Sequence, residues 1–133
     1  LIGMFLGRDI PATGTTIGIE RIIDAMSELS LLAEVKTKTQ VLVTMFNAET
    51  KFESLQVAEE LRKSEIKTEI YFDEKDGLRD QIGYANSKGI ALVIIIGPEE
   101  IKQKQVVIKD LKSGKQESVN REELVNKVKS FLS

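Results

Sequence analysis

The residues best suited to chemistry near the start of this sequence lie in PATGTTIGIER, positions 11–21. Gly14 and Gly18 stand four apart around Thr15 and Thr16, so a strand here would offer small side chains where a flat nucleobase or a phosphate passes. Arg21 follows at the first turn of a helix beginning near Ile19, where its planar guanidinium can fork onto a phosphate or stack on a base. The same residues also allow a glycine-bearing strand packed on a neighbouring helix, with Glu20 and Arg21 as a surface pair. On spacing alone that arrangement has the stronger case, because isolated glycines specify little.

The remaining chemistry is bounded by what the sequence lacks. None of the 133 residues is cysteine or histidine, which excludes thiolate nucleophiles, disulfides, the usual zinc sites and histidine acid/base pairs. Carboxylates, Lys, Arg, hydroxyls and the backbone are left. Lys and Arg number 19 against 21 Asp and Glu, a net charge of −2, so bulk electrostatics does not make this a nucleic-acid coat. Lys102, Lys104, Lys109, Lys112 and Lys115 form a local basic run, although alternating Lys is also how a solvated edge strand resists aggregation. The hydrophobic share of 41% and the charged share of 30% are those of an ordinary globular domain. The longest apolar run, ALVIII at 91–96, falls far short of the roughly 20 residues of a membrane span, and a cytoplasmic location is the expectation. The opening LIGMFLGR carries no basic leader or small-residue cleavage site and reads as a piece of something longer.

Helical spacing of Ile22, Ile23, Met26 and Leu29 predicts a helix to about Leu32, and residues 34–40, aperiodic and poor in bulky residues, read as a linker. Beyond it the pattern alternates. VLVTMF (41–46) is β-rich, and Thr50 with Glu53 forms a capping pair ahead of a helix bearing Phe52, Leu55, Ala58 and Leu61. TEIYF (68–72) is a second strand. Leu78, Ile82 and Ala85 mark a second helix closed by Gly89. ALVIII, apolar on both faces, predicts a central strand with parallel neighbours, and right-handed crossovers then give a three-stranded parallel core. Pro98 suits the first position of a short helical turn. Residues 105–111 and 117–119 read as a hairpin about Ser113-Gly114, and Asn120 with Glu123 as the cap of a last helix carrying Leu124, Val128 and Phe131. The expected architecture is α/β, a mixed five-stranded sheet with a parallel core and about three helices, preceded by a strand and a helix. The expected organisation is 1–33 as the tail of one domain, 34–40 as linker, and 41–133 as a second domain. Gln81, Tyr84 and Asn86 read as ordinary helix residues, since aromatics make up only 5% and none cluster. Strand–helix alternation alone also fits a flavodoxin-like nucleotide binder, but Met45-Phe46-Asn47-Ala48 stands where a Gly-rich phosphate loop belongs.

GRDIPATGTTIGIERI resembles motif 3 of the class II aminoacyl-tRNA synthetases, and LIGMFLGRDIPATG resembles its form in histidyl-tRNA synthetases. Downstream, the VLV strand, Leu61-Arg62, QIGYANSKGI, VIIIGPEE and VVIKDLKSGKQ are similar to the anticodon-binding domain of the same family. The resemblance implies that Arg21 binds ATP, with Gly18 lining the adenine side, and that Glu100 and Lys109 read anticodon bases, with Lys75 and Asn47 as weaker candidates at the same rim. It also implies a homodimeric parent enzyme that activates histidine with ATP and Mg²⁺ and ligates it to tRNA(His). Leu1 would close a GGRYDxL motif that forms part of the histidine pocket, so the chain by itself is expected to be inactive and to hold no cofactor or metal. A non-catalytic, synthetase-like tRNA-sensing module is the alternative, and the intact Gly18-Ile19-Glu20-Arg21 argues against it.

Overall fold

A computed structural model describes residues 2–11, 13–32, 36–73 and 75–133. Expectations that fall on Leu1, Ala12, and Glu34 and Val35 of the linker lie outside the described residues. The chain forms two compact units, Leu1–Glu34 and Val35–Ser133.

The first unit carries helix α1 (Ile2–Leu6), which sequence periodicity did not single out, and helix α2 (Ile19–Glu28). The strand expected ahead of α2 does not form, since residues 13–18 have neither helix nor strand. The helix stops four residues short of the expected Leu32 because Ser30 turns to a positive φ of 53°. Leu29 N–H still bonds the Ala25 carbonyl at 3.0 Å, and beyond it the chain leaves the helical path.

The second unit is built on β1 (Val41–Val43), α3 (Lys51–Lys63), β2 (Thr68–Ile70), α4 (Leu78–Lys88), β3 (Leu92–Ile95), α5 (Pro98–Gln103), β4 (Gln105–Asp110), β5 (Gln116–Asn120), a 3₁₀ turn (Arg121–Glu123) and α6 (Leu124–Leu132). The sheet order is β2-β1-β3-β4-β5, with β1 parallel to β2 and β3, and β4 antiparallel to β3 and β5. This is the expected mixed sheet with a parallel core.

The patterning explains the layers. Val41, Val43, Leu92 and Ile94 face Ala58, Leu61, Leu124 and Val128, so α3 and α6 cover one side. Leu42, Val93, Ile95 and Val107 face Ala85 and Ile90, so α4 covers the other. Both β1 and β3 are buried throughout, which is why they read as unbroken apolar runs. Gly89 ends α4 in the left-handed region at φ 73°, and Ile90 N–H reaches back to the Ala85 carbonyl at 2.9 Å, closing the turn that glycine permits.

Three local expectations fail for physical reasons. The strands end earlier than their apolar runs, at Val43 and Ile70: Thr44 N–H and Tyr71 N–H each make one last backbone bond, to the Ile94 and Val43 carbonyls, and Met45 N–H then turns to the Gln81 side chain. Thr50 does not cap α3 in a box with Glu53. Its hydroxyl donates to the Asn47 carbonyl at 3.1 Å and accepts from Asn47 N–H at 3.2 Å, while Asn47 Oδ1 accepts from Thr50 N–H at 2.9 Å. Asx and hydroxyl groups this close satisfy each other before they reach a helix end. Asn120 likewise makes no side-chain cap, because the 3₁₀ turn intervenes before α6.

Candidate nucleic-acid interface

α3 and α4 leave the carboxyl ends of β1 and β2 toward opposite faces, so the winding of the sheet reverses between β1 and β3. In α/β sheets this reversal is where ligands enter. Asn47 follows β1, Lys75 follows β2 and Glu100 lies in α5 just after β3, so all three stand at this one rim. Asn47 is half-buried and fixed by its reciprocal bonds with Thr50. Lys75 is exposed, and its N–H donates to Asp73 Oδ1 at 2.9 Å, which shapes the loop.

Glu100 is half-buried and already employed locally. Its Oε2 accepts from Gly97 N–H at 2.9 Å, closing the first turn of α5 as an N-terminal cap. A Cβ at residue 97 would stand only 2.6 Å from that oxygen and 3.9 Å from the ring of Phe46. Gly97 is therefore the spacer that lets the carboxylate fold over the backbone beside an aromatic ring. Phe46, 49% exposed, was not among the residues singled out by sequence, because a lone phenylalanine in an apolar strand run carries no signal of exposure.

Lys109 sits elsewhere. It pairs with Val93 in register, whereas the rim end of β3, Ile95, pairs with Val107. Lys109 is thus two residue pairs down the strand, about 7 Å from the rim by the rise of an extended chain. It shares a face with Gln116 and Ser118 of β5, which are exposed, while Glu117 and Val119 point to the α6 side. The structure brings Asn47, Lys75 and Glu100 to one edge and leaves Lys109 on the sheet face below it. Among the described residues none of Lys75, Lys102, Lys104, Lys109, Lys112 and Lys115 is held in an ion pair, so their ammonium groups are available to anions.

The β2 side is braced by a polar cluster. Tyr84 and Tyr71 meet edge to face with centroids 5.3 Å apart, Tyr84 donates to Glu69, and Lys88 bonds both Glu69 oxygens at 3.0 Å. Burial pushes the Glu69 carboxyl up, but the bonds from Tyr84, Lys88 and Thr39 outweigh it and leave its pKa below the ordinary value. The Tyr71 hydroxyl donates to Asp76, and that bond, aided by burial and neighbouring acids, drives its pKa up to about 12. Tyr84 is thus a half-buried structural residue rather than a stacking platform.

In the first unit, Gly18 and Arg21 do come together. The Arg21 stem lies 3.8 Å from where a Gly18 Cβ would be, and both residues are exposed. A Cβ on Gly14 would meet nothing within 4 Å. Among the described residues Arg21 has no carboxylate partner, which suits its guanidinium to an incoming anion.

The anticodon binding domain profile matches residues 40–131, the stretch that holds the parallel three-stranded core and its antiparallel pair. The chain belongs to the anticodon-binding domain family. It is 36% identical over 132 residues to the histidine–tRNA ligase of Pyrococcus furiosus, covering 99% of this chain and 30% of that protein. With the histidine–tRNA ligase of Danio rerio the identity is again 36%, over 100% of this chain and 27% of that protein. The crystal structure of histidyl-tRNA synthetase from Nostoc sp. PCC 7120 superposes with a TM-score of 0.76 at 30% identity, covering 99% of this chain and 32% of that one. The chain thus spans about a third or less of the relatives it matches.

Proposed function

We propose that this chain is part of a histidine–tRNA ligase and that its second unit binds the anticodon region of tRNA(His). The observation that carries the reading is similarity to such ligases across 99% of the chain, through both units, together with the family profile over residues 40–131. In this reading residues 1–33 belong to the catalytic domain, residues 34–40 link it to the second, and residues 41–133 form the anticodon-binding domain.

At the rim, the Oε1 of Glu100 accepts from an amino or imino group of an unstacked base while Oε2 keeps its bond to Gly97. The half-exposed ring of Phe46 gives the same base a face to lie on. Asn47 and Lys75 flank this position. Lys109 donates to a base carbonyl or ring nitrogen of a nucleotide that runs down onto the β4–β5 face.

The parent enzyme would act as a cytoplasmic homodimer using ATP and Mg²⁺. Arg21 would hold the triphosphate and offset its charge, with Gly18 beside the adenine; its role is electrostatic and positional rather than proton transfer. ATP would supply the adenylyl group that activates the histidine carboxylate, with pyrophosphate as the leaving group. Mg²⁺ would accompany the nucleotide. No described helix is long and apolar enough to cross a membrane.

The test is a filter-binding comparison at fixed salt of tRNA(His) transcripts with the native and a replaced anticodon. The native anticodon should bind more tightly. Equal binding would overturn the assignment. The isolated chain should support no histidine-dependent pyrophosphate exchange.

A further inference from the structure

Gln81, read from sequence as an ordinary helix residue, is 1% exposed and uses its amide in three bonds. Its Oε1 accepts from Met45 N–H at 2.9 Å. Its Nε2 donates to the Met45 carbonyl at 2.7 Å and to the Asp76 carbonyl at 3.0 Å. The amide orientation follows from the partners, since a flipped group would set N–H against N–H and oxygen against two carbonyls.

Met45 is the residue at which the β1 segment has left the ladder, and Asp76 belongs to the β2–α4 loop. Phe46 and Asn47 follow directly after the first attachment, and Lys75 immediately precedes the second. One buried side chain on α4 therefore ties together two separate connections that the sheet itself does not join. Tyr71 strengthens the second attachment from the side by donating to Asp76.

We infer that Gln81 is the positioning residue of the RNA-binding rim: it sets the β1 exit, with Phe46 and Asn47, at a fixed distance from the loop bearing Lys75. This deepens the proposed anticodon-binding role and rests on it. No bond from Gln81 to RNA is involved. Its amide is buried and its two donors are used, so it acts only through the loops it holds. A rim without the clamp would retain every contacting side chain, but the two halves would move independently and would meet a base in the bound geometry only part of the time.

The experiment uses Gln81→Met, which keeps the shape and removes all three bonds, in variants confirmed folded by circular dichroism. Hydrogen exchange is the first readout. Residues 45–48 and 75–77 should exchange faster together, by about tenfold or more, while β3 and β4 stay protected. The second readout is binding of a labelled anticodon stem-loop of tRNA(His). Gln81→Met should weaken it by a factor of about ten, and Asn47→Ala should then cost much less than in the native background, as coupled neighbours do. Lys109→Ala, on β4, should cost the same factor in both backgrounds.

Acceleration in only one segment, or losses for Gln81 and Asn47 that simply multiply, would overturn the inference. Absence of binding by the native chain would overturn the anticodon role and leave exchange to decide the clamp. Should Gln81→Met not fold, Gln81→Glu serves instead. Its ionised carboxylate faces two carbonyls, and protonation restores one donor, so both segments should regain protection as pH falls, while the native protein shows no such gain. A flat response in Gln81→Glu would overturn the inference.

Discussion

Glu100 is given two tasks, one per oxygen, and they can be separated. Glu100→Ala removes the bond from Gly97 N–H and the negative charge in the first turn of α5. A lost cap costs about 1 kcal/mol and a lost first-turn carboxylate about 0.3–1 kcal/mol, so the fold should lose roughly 1–2 kcal/mol. For a unit of the size of Val35–Ser133, each kcal/mol lowers the melting temperature by about 4–8 °C. Glu100→Gln keeps an acceptor for Gly97 and loses only the charge, so its melting temperature should fall by the smaller part. At the RNA the order reverses in interest. The amide replaces the accepting Oε1 with an ambiguous group, and loss of a base-reading contact is worth about 1–3 kcal/mol, or roughly 5- to 150-fold in Kd at fixed salt. Thermal unfolding followed by circular dichroism gives the first number, and anisotropy titration of a labelled anticodon stem-loop gives the second. Glu100→Gln that binds as tightly as the native protein would refute a reading role and leave Glu100 as a helix cap. Glu100→Ala with an unchanged melting temperature would refute the capping argument itself.

Lys109→Ala should weaken the native anticodon stem-loop by about 1–3 kcal/mol and much less a loop with replaced bases, measured in the same titration; a uniform loss with a shallower salt slope would make it a phosphate contact instead. Ultraviolet titration should find one tyrosine ionising near about 12, absent in Tyr71→Phe. Because this pKa is raised, the bond to Asp76 stabilises the fold fully below the ordinary value of 10.0 and its contribution fades as pH rises from there through about 12. Gly89→Ala forces an L residue to φ 73° and brings a Cβ to 3.4 Å from Lys36, so it should cost roughly 1–2 kcal/mol in chemical denaturation without altering RNA affinity.

Much of this fold is written in local chemistry. Val41–Val43 and Leu92–Ile95 are apolar on both faces and become the central strands; Gly89 and Ser113-Gly114 mark turns that form where expected. The helix starts were harder to read. Thr50 and Asn120 look like caps because their side chains are of the right type, but Asn47 captures one and a 3₁₀ turn displaces the other. Each outcome depends on competing partners a few residues away, which spacing does not rank. The rim was legible as a set of candidate residues and not as geometry. Nothing in the sequence distinguishes Gln81 from any polar residue on a helix, since its three partners are backbone atoms 36 and five residues away. Likewise the two-pair offset of Lys109 from the loop edge follows from strand register, which only the paired sheet defines.

That offset has a consequence for the ligand's path. Since β4 runs opposite to β3, moving from Gln105 to Lys109 means travelling away from the strand ends where Phe46 and Glu100 gather. A nucleic acid that touches Glu100 and Lys109 at once must therefore lie lengthwise, parallel to the strands, with one base at the edge and its neighbour laid down over the sheet. A closed A-form duplex keeps its Watson–Crick edges paired and its bases stacked and cannot be unrolled along this track, whereas a loop whose bases are splayed can. In the proposed anticodon-binding role, the direction of a single strand would thus favour the tip of a hairpin over its stem.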